Sequence, residues 1–262
     1  MKFKIGIAAV FLIVAFLVGG IAYTTINGRS ATDSSETATD VTSIGNLNAG
    51  EGYTITPIPY EDWHDYMPSL DRGVQFSATV PESARAILTS KAKQTQENLL
   101  DDPSQISDWL DLAIVYHTGN DFNGAREVWE FLVKAIPNDT TPYDNLGRLY
   151  HFDLKDFEKA EYYFKKSIEI QPNVIGSYLE LHTLYAYSYK TDTTLAADIL
   201  EQAAKRFPKE SDPLALLGTY WRDKGDSAKA RAAYTRALDR AREANNVTLI
   251  NSIGEELARL PE

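Results

Sequence analysis

The chain has no cysteine. Disulfides, cysteine zinc sites, cysteine nucleophiles and a lipoprotein-type anchor are excluded together. Positive charge is scarce as well. Only 26 Lys and Arg stand against 37 Asp and Glu, a net of −11 at pH 7. Phosphate binding needs clustered bases and none occur, so nucleic acid is not an expected partner. No nucleophile elbow, phosphate loop, HExxH or paired-carboxylate motif appears. His64, beside Asp62 and Asp65, stands alone in a solvated acidic stretch. The sequence therefore predicts no enzyme, no catalytic residue, no metal and no cofactor. Its 44% hydrophobic content is enough for at least one folded domain.

Long apolar runs are lacking, with one exception. Residues 1–4 carry Lys2 and Lys4, and IGIAAVFLIVAFLVGGIAY follows at 5–23 without a charge. At about 1.5 Å per residue this run spans the ~30 Å hydrocarbon layer of a bilayer. The basic start predicts a cytoplasmic N-terminus and an extracytoplasmic remainder, single-pass in the cytoplasmic membrane. Gly20 and Ala22 offer a small-x-small site, so a cleaved signal, with a secreted product, is the alternative. Residues 24–54 are rich in Ser, Thr, Asp, Asn and Gly and read as a flexible acidic linker. Residues 55–80 carry Pro57, Pro59 and Pro68 among Tyr60, Trp63, Tyr66 and Phe76. They are expected to be a non-helical lead-in that packs on the first helices, or else a strap that contacts a partner or the domain's own groove.

A period governs the rest. Pro103, Pro137, Pro172 and Pro208 stand 34, 35 and 36 residues apart. Six residues after them lie Trp109, Tyr143, Tyr178 and Leu214, and nine after them Leu112, Leu146, Leu181 and Leu217. Ten after them lie Ala113, Gly147, His182 and Gly218, and thirteen after them Tyr116, Tyr150, Tyr185 and Trp221. Ala125, Ala160, Ala196 and Ala230 follow, then Trp129, Phe164, Leu200 and Tyr234. This register resembles the tetratricopeptide repeat (TPR) family, as found in membrane-anchored extracytoplasmic bacterial proteins. The resemblance covers 106–242 as repeats 106–139, 140–174, 175–210 and 211–242. It implies an all-α fold, a short right-handed α-solenoid of about four helix pairs. Helices at 81–102 and 247–260 are expected to cap its ends. In the second of these, Val247, Ile250, Ile253, Leu257 and Leu260 form the apolar face, and Asn251, Glu255, Glu256 and Arg259 the polar side. The spacing from aromatic to Ala runs 9, 10, 11 and 9, which places the extra residues of repeats two and three in the turns.

His182 stands where the family prefers Gly or Ala, so its imidazole is expected to widen the helix pair or to point to an edge. The resemblance also implies that first helices line a concave groove for a peptide or protein. By repeat register the groove residues are Asp111, His117, Asn145, Arg148, His151, Phe152, Glu180, Thr183, Tyr187 and Arg222, with Ile114 and Asp144 beside them. Asp111 and Ile114 stand where a carboxylate clamp would begin, so that clamp is not expected. His117 and His151 share one slot in consecutive repeats and are expected on one stripe near Asp111 and Asp144. The predicted function is a membrane-tethered, non-enzymatic scaffold for a protein or peptide partner. The alternatives are a self-associating envelope subunit and an accessory module of an enzyme.

Overall fold

The computed structural model describes residues 55–261. The expected membrane helix (5–23) and linker (24–54) lie outside the described residues. Among the described residues no helix is long and apolar enough to cross a membrane.

Eleven α-helices follow one another among the described residues, with no strand. They are α1 (Trp63–Tyr66), α2 (Glu82–Asp101), α3 (Ile106–Thr118), α4 (Phe122–Ala135), α5 (Thr141–Arg148), α6 (Phe157–Ile170), α7 (Ile175–Tyr187), α8 (Leu195–Arg206), α9 (Asp212–Asp223), α10 (Ser227–Glu243) and α11 (Val247–Arg259). From α2 onward the extensive contacts join each helix to the ones before and after it in the chain. An amphipathic helix cannot bury its face alone, so consecutive pairs stack and share one continuous core. Trp109, Leu112, Leu146, Phe164, Leu181, Leu200, Leu214 and Tyr234 are all buried in it.

The recurring residues have local causes. The aromatic six places after a proline donates to that proline's carbonyl. Trp109 Nε1 reaches Pro103 O at 2.9 Å, and the Tyr143 and Tyr178 hydroxyls reach Pro137 O and Pro172 O at 3.1 Å. This satisfies a carbonyl left over from the preceding helix end. The turns into α4, α6 and α10 repeat one another. A residue with positive φ (Asn120, Lys155 or Gly225) precedes Asp121, Asp156 or Asp226. Each aspartate caps its helix by accepting from the backbone N–H three residues on, at Gly124, Lys159 or Lys229.

Three expectations are corrected. The lead-in is not wholly irregular: Tyr60–Asp62 forms a 3-10 turn that runs into α1. Its prolines flank the helical turn instead of interrupting it, Pro59 at the cap of the 3-10 turn and Pro68 beyond the end of α1. This segment packs on the first repeat. Ile58 N–H donates to Lys134 O at 3.0 Å, and the Trp63 ring meets Phe131 edge-on at 5.5 Å. These partners lie on the second helix of that repeat, away from the expected groove residues.

The second correction concerns the extra residue of repeat two. It does not extend a turn. Leu149–Asp153 continues α5 as a π-helical turn, with Leu154 N–H bonded to Leu149 O, and absorbs the residue within the helix. In repeat three the two extra residues do lie between the helices, within 188–194, one on each side of Lys190 by comparison with Asn120. Third, α11 buries Ile253 and, beyond its end, Leu260, but leaves Val247 exposed. Glu256, expected on the solvent side, turns toward Arg222 on α9.

Candidate functional site

The first helices of successive pairs are α3, α5, α7 and α9, and the expected groove residues sit on them. Their charged and polar members are already engaged with neighbouring side chains. Lys91 Nζ on α2 lies 2.7 Å from Asp111 Oδ2 on α3. His117 Nε2 lies 2.9 Å from Asp153 Oδ2, in the π turn after α5. Arg148 Nε lies 3.7 Å from Glu180 Oε1 on α7. Arg222 on α9 is held by Asp223 and by Glu256 on α11. Three ion pairs and the His117–Asp153 hydrogen bond therefore cross four of the junctions along this face.

Burial makes the middle of the face unusual. Asp144 accepts from Ser177 Oγ at 3.0 Å, yet desolvation raises its pKa, against bonds from Ser167 and Ser177. Glu180 is raised by desolvation too, with Arg148 opposing and Asp144 adding to the shift. Arg148 is thus the cation between two carboxylates that the fold makes reluctant to ionise.

His151 does not line this face. Its residue is 1% exposed, and Nε2 lies 2.8 Å from Ser188 Oγ. Burial, with Lys155 nearby, lowers its pKa to about 4. The π turn is the reason. One added residue changes the rotational phase, so the side chain in the slot of His117 turns inward and Phe152 turns outward. The stripe of His117 and His151 with Asp111 and Asp144 consequently does not form. Among the described residues no group of three or more His, Asp or Glu is placed to hold a metal ion.

What the face presents freely is largely apolar. Ile114, Phe152 and Tyr187 are 44%, 43% and 57% exposed. Asn145 and Thr183 are half-buried among them, Thr183 bonding back to Leu179 O.

Family models of the tetratricopeptide repeat match residues 141–174 and 185–245. The first of these segments holds α5 and α6, the second runs from the end of α7 through α10. Both segments are tetratricopeptide repeats. The chain is 28% identical to human Superkiller complex protein 3 over 131 residues, 48% of this chain and 8% of that protein. The mouse protein of the same name is 29% identical over 119 residues, again 8% of its length. The chain thus spans a small fraction of these curated relatives. Among solved structures, MamA is similar at a TM-score of 0.49 and 17% identity, over 64% of this chain and 99% of that one. A thermophilic TPR protein of Thermus thermophilus is similar at 0.45 and 20%, over 67% and 94%.

The small TPR slot is set by the ring opposite it. A Cβ at Gly147 would sit 2.5 Å from the Phe164 ring, and one at Gly218 would meet Tyr234. In the third TPR the second helix offers Leu200 instead, and the vacated volume takes His182. Its imidazole is neither exposed nor at an edge. It is 3% exposed, and Nδ1 donates to Ala196 O at 2.9 Å. The size exchange between the two helices explains the departure.

Register alone located the face but missed the partners of its ions. Lys91, Asp153 and Glu256 come from helices or turns whose phase the TPR pattern does not fix. The one legible signal was the extra residue in repeat two, which announced a phase change without placing it.

Proposed function

We propose that this chain is a non-enzymatic scaffold that binds a protein segment along the first-helix face of its repeats. TPR repeats indicate a protein-interaction module. The observation that carries the reading is the contrast on this face: Ile114, Phe152 and Tyr187 are exposed while the surrounding polar and charged side chains have partners within the fold. Exposed aromatics with little conformational freedom to lose are favoured anchors of interfaces. Paired ions do not demand a counter-charge from the partner. The name of the mammalian relatives, which places them in a complex, agrees with such a role.

The same reading places the repeats outside the cytoplasmic membrane, tethered by residues 5–23. The support is the uncharged apolar run after Lys2 and Lys4. Protease added to intact and to lysed cells tests this half. Digestion of the repeats only after lysis sinks the extracytoplasmic placement.

The binding half is tested with a photo-crosslinking residue at Phe152 or Tyr187 in native membranes, and at Lys166 and Glu169 on a second helix as controls. Products at the first two positions only, lost when the neighbouring aromatic is changed to Ala, support the face. Equal yields at all four positions overturn it. Sedimentation of the purified chain separates a partner from a second copy.

A further inference from the structure

The second and fourth repeats share a cation that the first repeat lacks. Three residues after the capping aspartate stands Lys159 in repeat two and Lys229 in repeat four. Lys159 Nζ lies 3.1 Å from Asp156 Oδ2 and 4.9 Å from the centre of the Tyr150 ring. Lys229 Nζ lies 3.0 Å from Asp226 Oδ2 and 4.1 Å from the Trp221 ring. Each lysine thus bridges the helix cap to the last recurring aromatic of the first helix. In repeat one the same position is Gly124.

Arg72, from the lead-in, fills that role. Its Nη2 donates to both oxygens of Asp121, at 3.1 and 2.8 Å, and its guanidinium lies 5.0 Å from the Tyr116 ring. Nη1 donates to Glu127 at 3.2 Å. A Cβ at position 124 would lie 2.8 Å from Nη1 and 2.9 Å from Tyr116 Cγ, so the glycine leaves room both for the arginine and for the ring on which it lies. A second glycine makes the same allowance. A Cβ at Gly119 would lie 2.8 Å from Val74 Cγ1 and 3.1 Å from the Phe76 ring. The segment's backbone is bonded at Arg72 and again at Gln75. Gln75 N–H donates to Asp121 Oδ2 at 2.9 Å, and Arg72 O accepts from Gln96 Nε2 at 2.8 Å.

We infer that the first repeat carries a docking site for an extended, arginine-bearing segment, with Gly119 and Gly124 as its specificity-determining positions. Residues 68–80 occupy this site in cis as a displaceable ligand. The recognition chemistry is specific. One guanidinium nitrogen, Nη2, meets both oxygens of Asp121, whose side chain is only 3% exposed, the other meets Glu127, and the group lies over a phenol ring. The gap at Gly124 receives the guanidinium, and the gap at Gly119 receives Val74 and Phe76 of the flanking chain. The site lies on the α3–α4 turn and the second helix, so it stands whether or not the first-helix face binds a partner.

Gly124→Lys restores the residue that repeats two and four carry, and is expected to expel Arg72 with a small shift of the Tyr116 ring; Arg72→Ala reaches the same end without touching that ring. Hydrogen exchange on the full chain reads the result. At Gln75 exchange should accelerate at least about tenfold, the loss of a charge-assisted hydrogen bond, while α3 and α4 keep their protection. Arg72→Ala should do the same. A labelled peptide of residues 68–80 should then bind the Arg72→Ala chain and fail to bind the Arg72→Ala, Gly124→Lys chain. Unchanged protection at Gln75 in both single variants overturns the inference. So does loss of protection throughout α3 and α4, which would make the segment an inseparable part of the fold. Equal peptide binding by both Arg72→Ala chains overturns the role of Gly124.

Discussion

His151 Nε2 lies 2.8 Å from Ser188 Oγ and ties the end of one first helix to the end of the next. Both this imidazole and that of His182 are held neutral inside the repeats. Burial lowers His151 to about 4, with Lys155 adding to the effect, and lowers His182 against the opposing bond to Ala196 O. For a group whose folded pKa is depressed, the unfolded chain takes up the proton more readily. The stability it contributes is complete above the unfolded value of about 6.5 and is lost as pH falls toward the folded one. The melting temperature should therefore decline between pH 6.5 and about 4. His151→Gln and His182→Gln should each flatten the decline, and a variant that follows the parent profile over that interval contradicts the assignment.

Glu161 is the counterpart on the acidic side. It accepts from Tyr185 OH, from Lys190 Nζ at 2.8 and 3.0 Å, and from Lys165 Nζ at 2.9 Å. Burial works to raise its pKa, but Lys190, Tyr185 and Lys165 together lower it. Its contribution is present above the unfolded carboxylate value and is lost as pH falls through the lowered one. Glu161→Ala leaves three donors without their acceptor. A loss of about 2–3 kcal/mol is expected in denaturant unfolding, and a loss below about 0.5 kcal/mol would show the cluster to be solvated.

Glu180 should behave in the opposite sense. Desolvation raises its pKa, so ionisation costs the folded state more than the unfolded one. Glu180→Gln should stabilise the chain at pH 7. That gain should vanish as pH falls below about 4.3, where both states hold the proton. Melting curves at pH 7 and pH 4 test the sign; destabilisation at pH 7 would mean that the pairing with Arg148 outweighs the desolvation.

Two glycine substitutions separate close packing from backbone entropy. Gly147→Ala drives a methyl into the Phe164 ring and should cost about 1–3 kcal/mol. At Gly176, in the first turn of α7, a Cβ meets no atom within 4 Å. Gly176→Ala should raise stability by roughly 0.5 kcal/mol. Thermal or denaturant unfolding of the two variants decides, and equal effects would contradict the packing account.

Much of the fold was legible because a repeat states its own register several times. Pro103, Trp109, Leu112 and Tyr116 acquire meaning from the positions that reproduce their spacing, and the helix pairs follow. The exposure of Phe152 and Tyr187 was legible in the same way. What register could not supply was phase after an insertion, hence the misplaced His151, and the identity of partners across helices. Nor could it supply the occupant of a missing position. Gly124 looks like an ordinary small residue until Arg72, distant in sequence, is seen beside it.

In an uninterrupted α-helix, one residue more turns everything after it by about 100°. The π turn at Leu149–Asp153 confines that rotation to five residues, and Asp156 still caps α6 as Asp121 caps α4. An insertion has thus been accommodated inside a packed helix without disturbing the next one. Length variation in such a chain is not restricted to surface loops, and alignment by helix ends will misassign which residues around position 151 face outward.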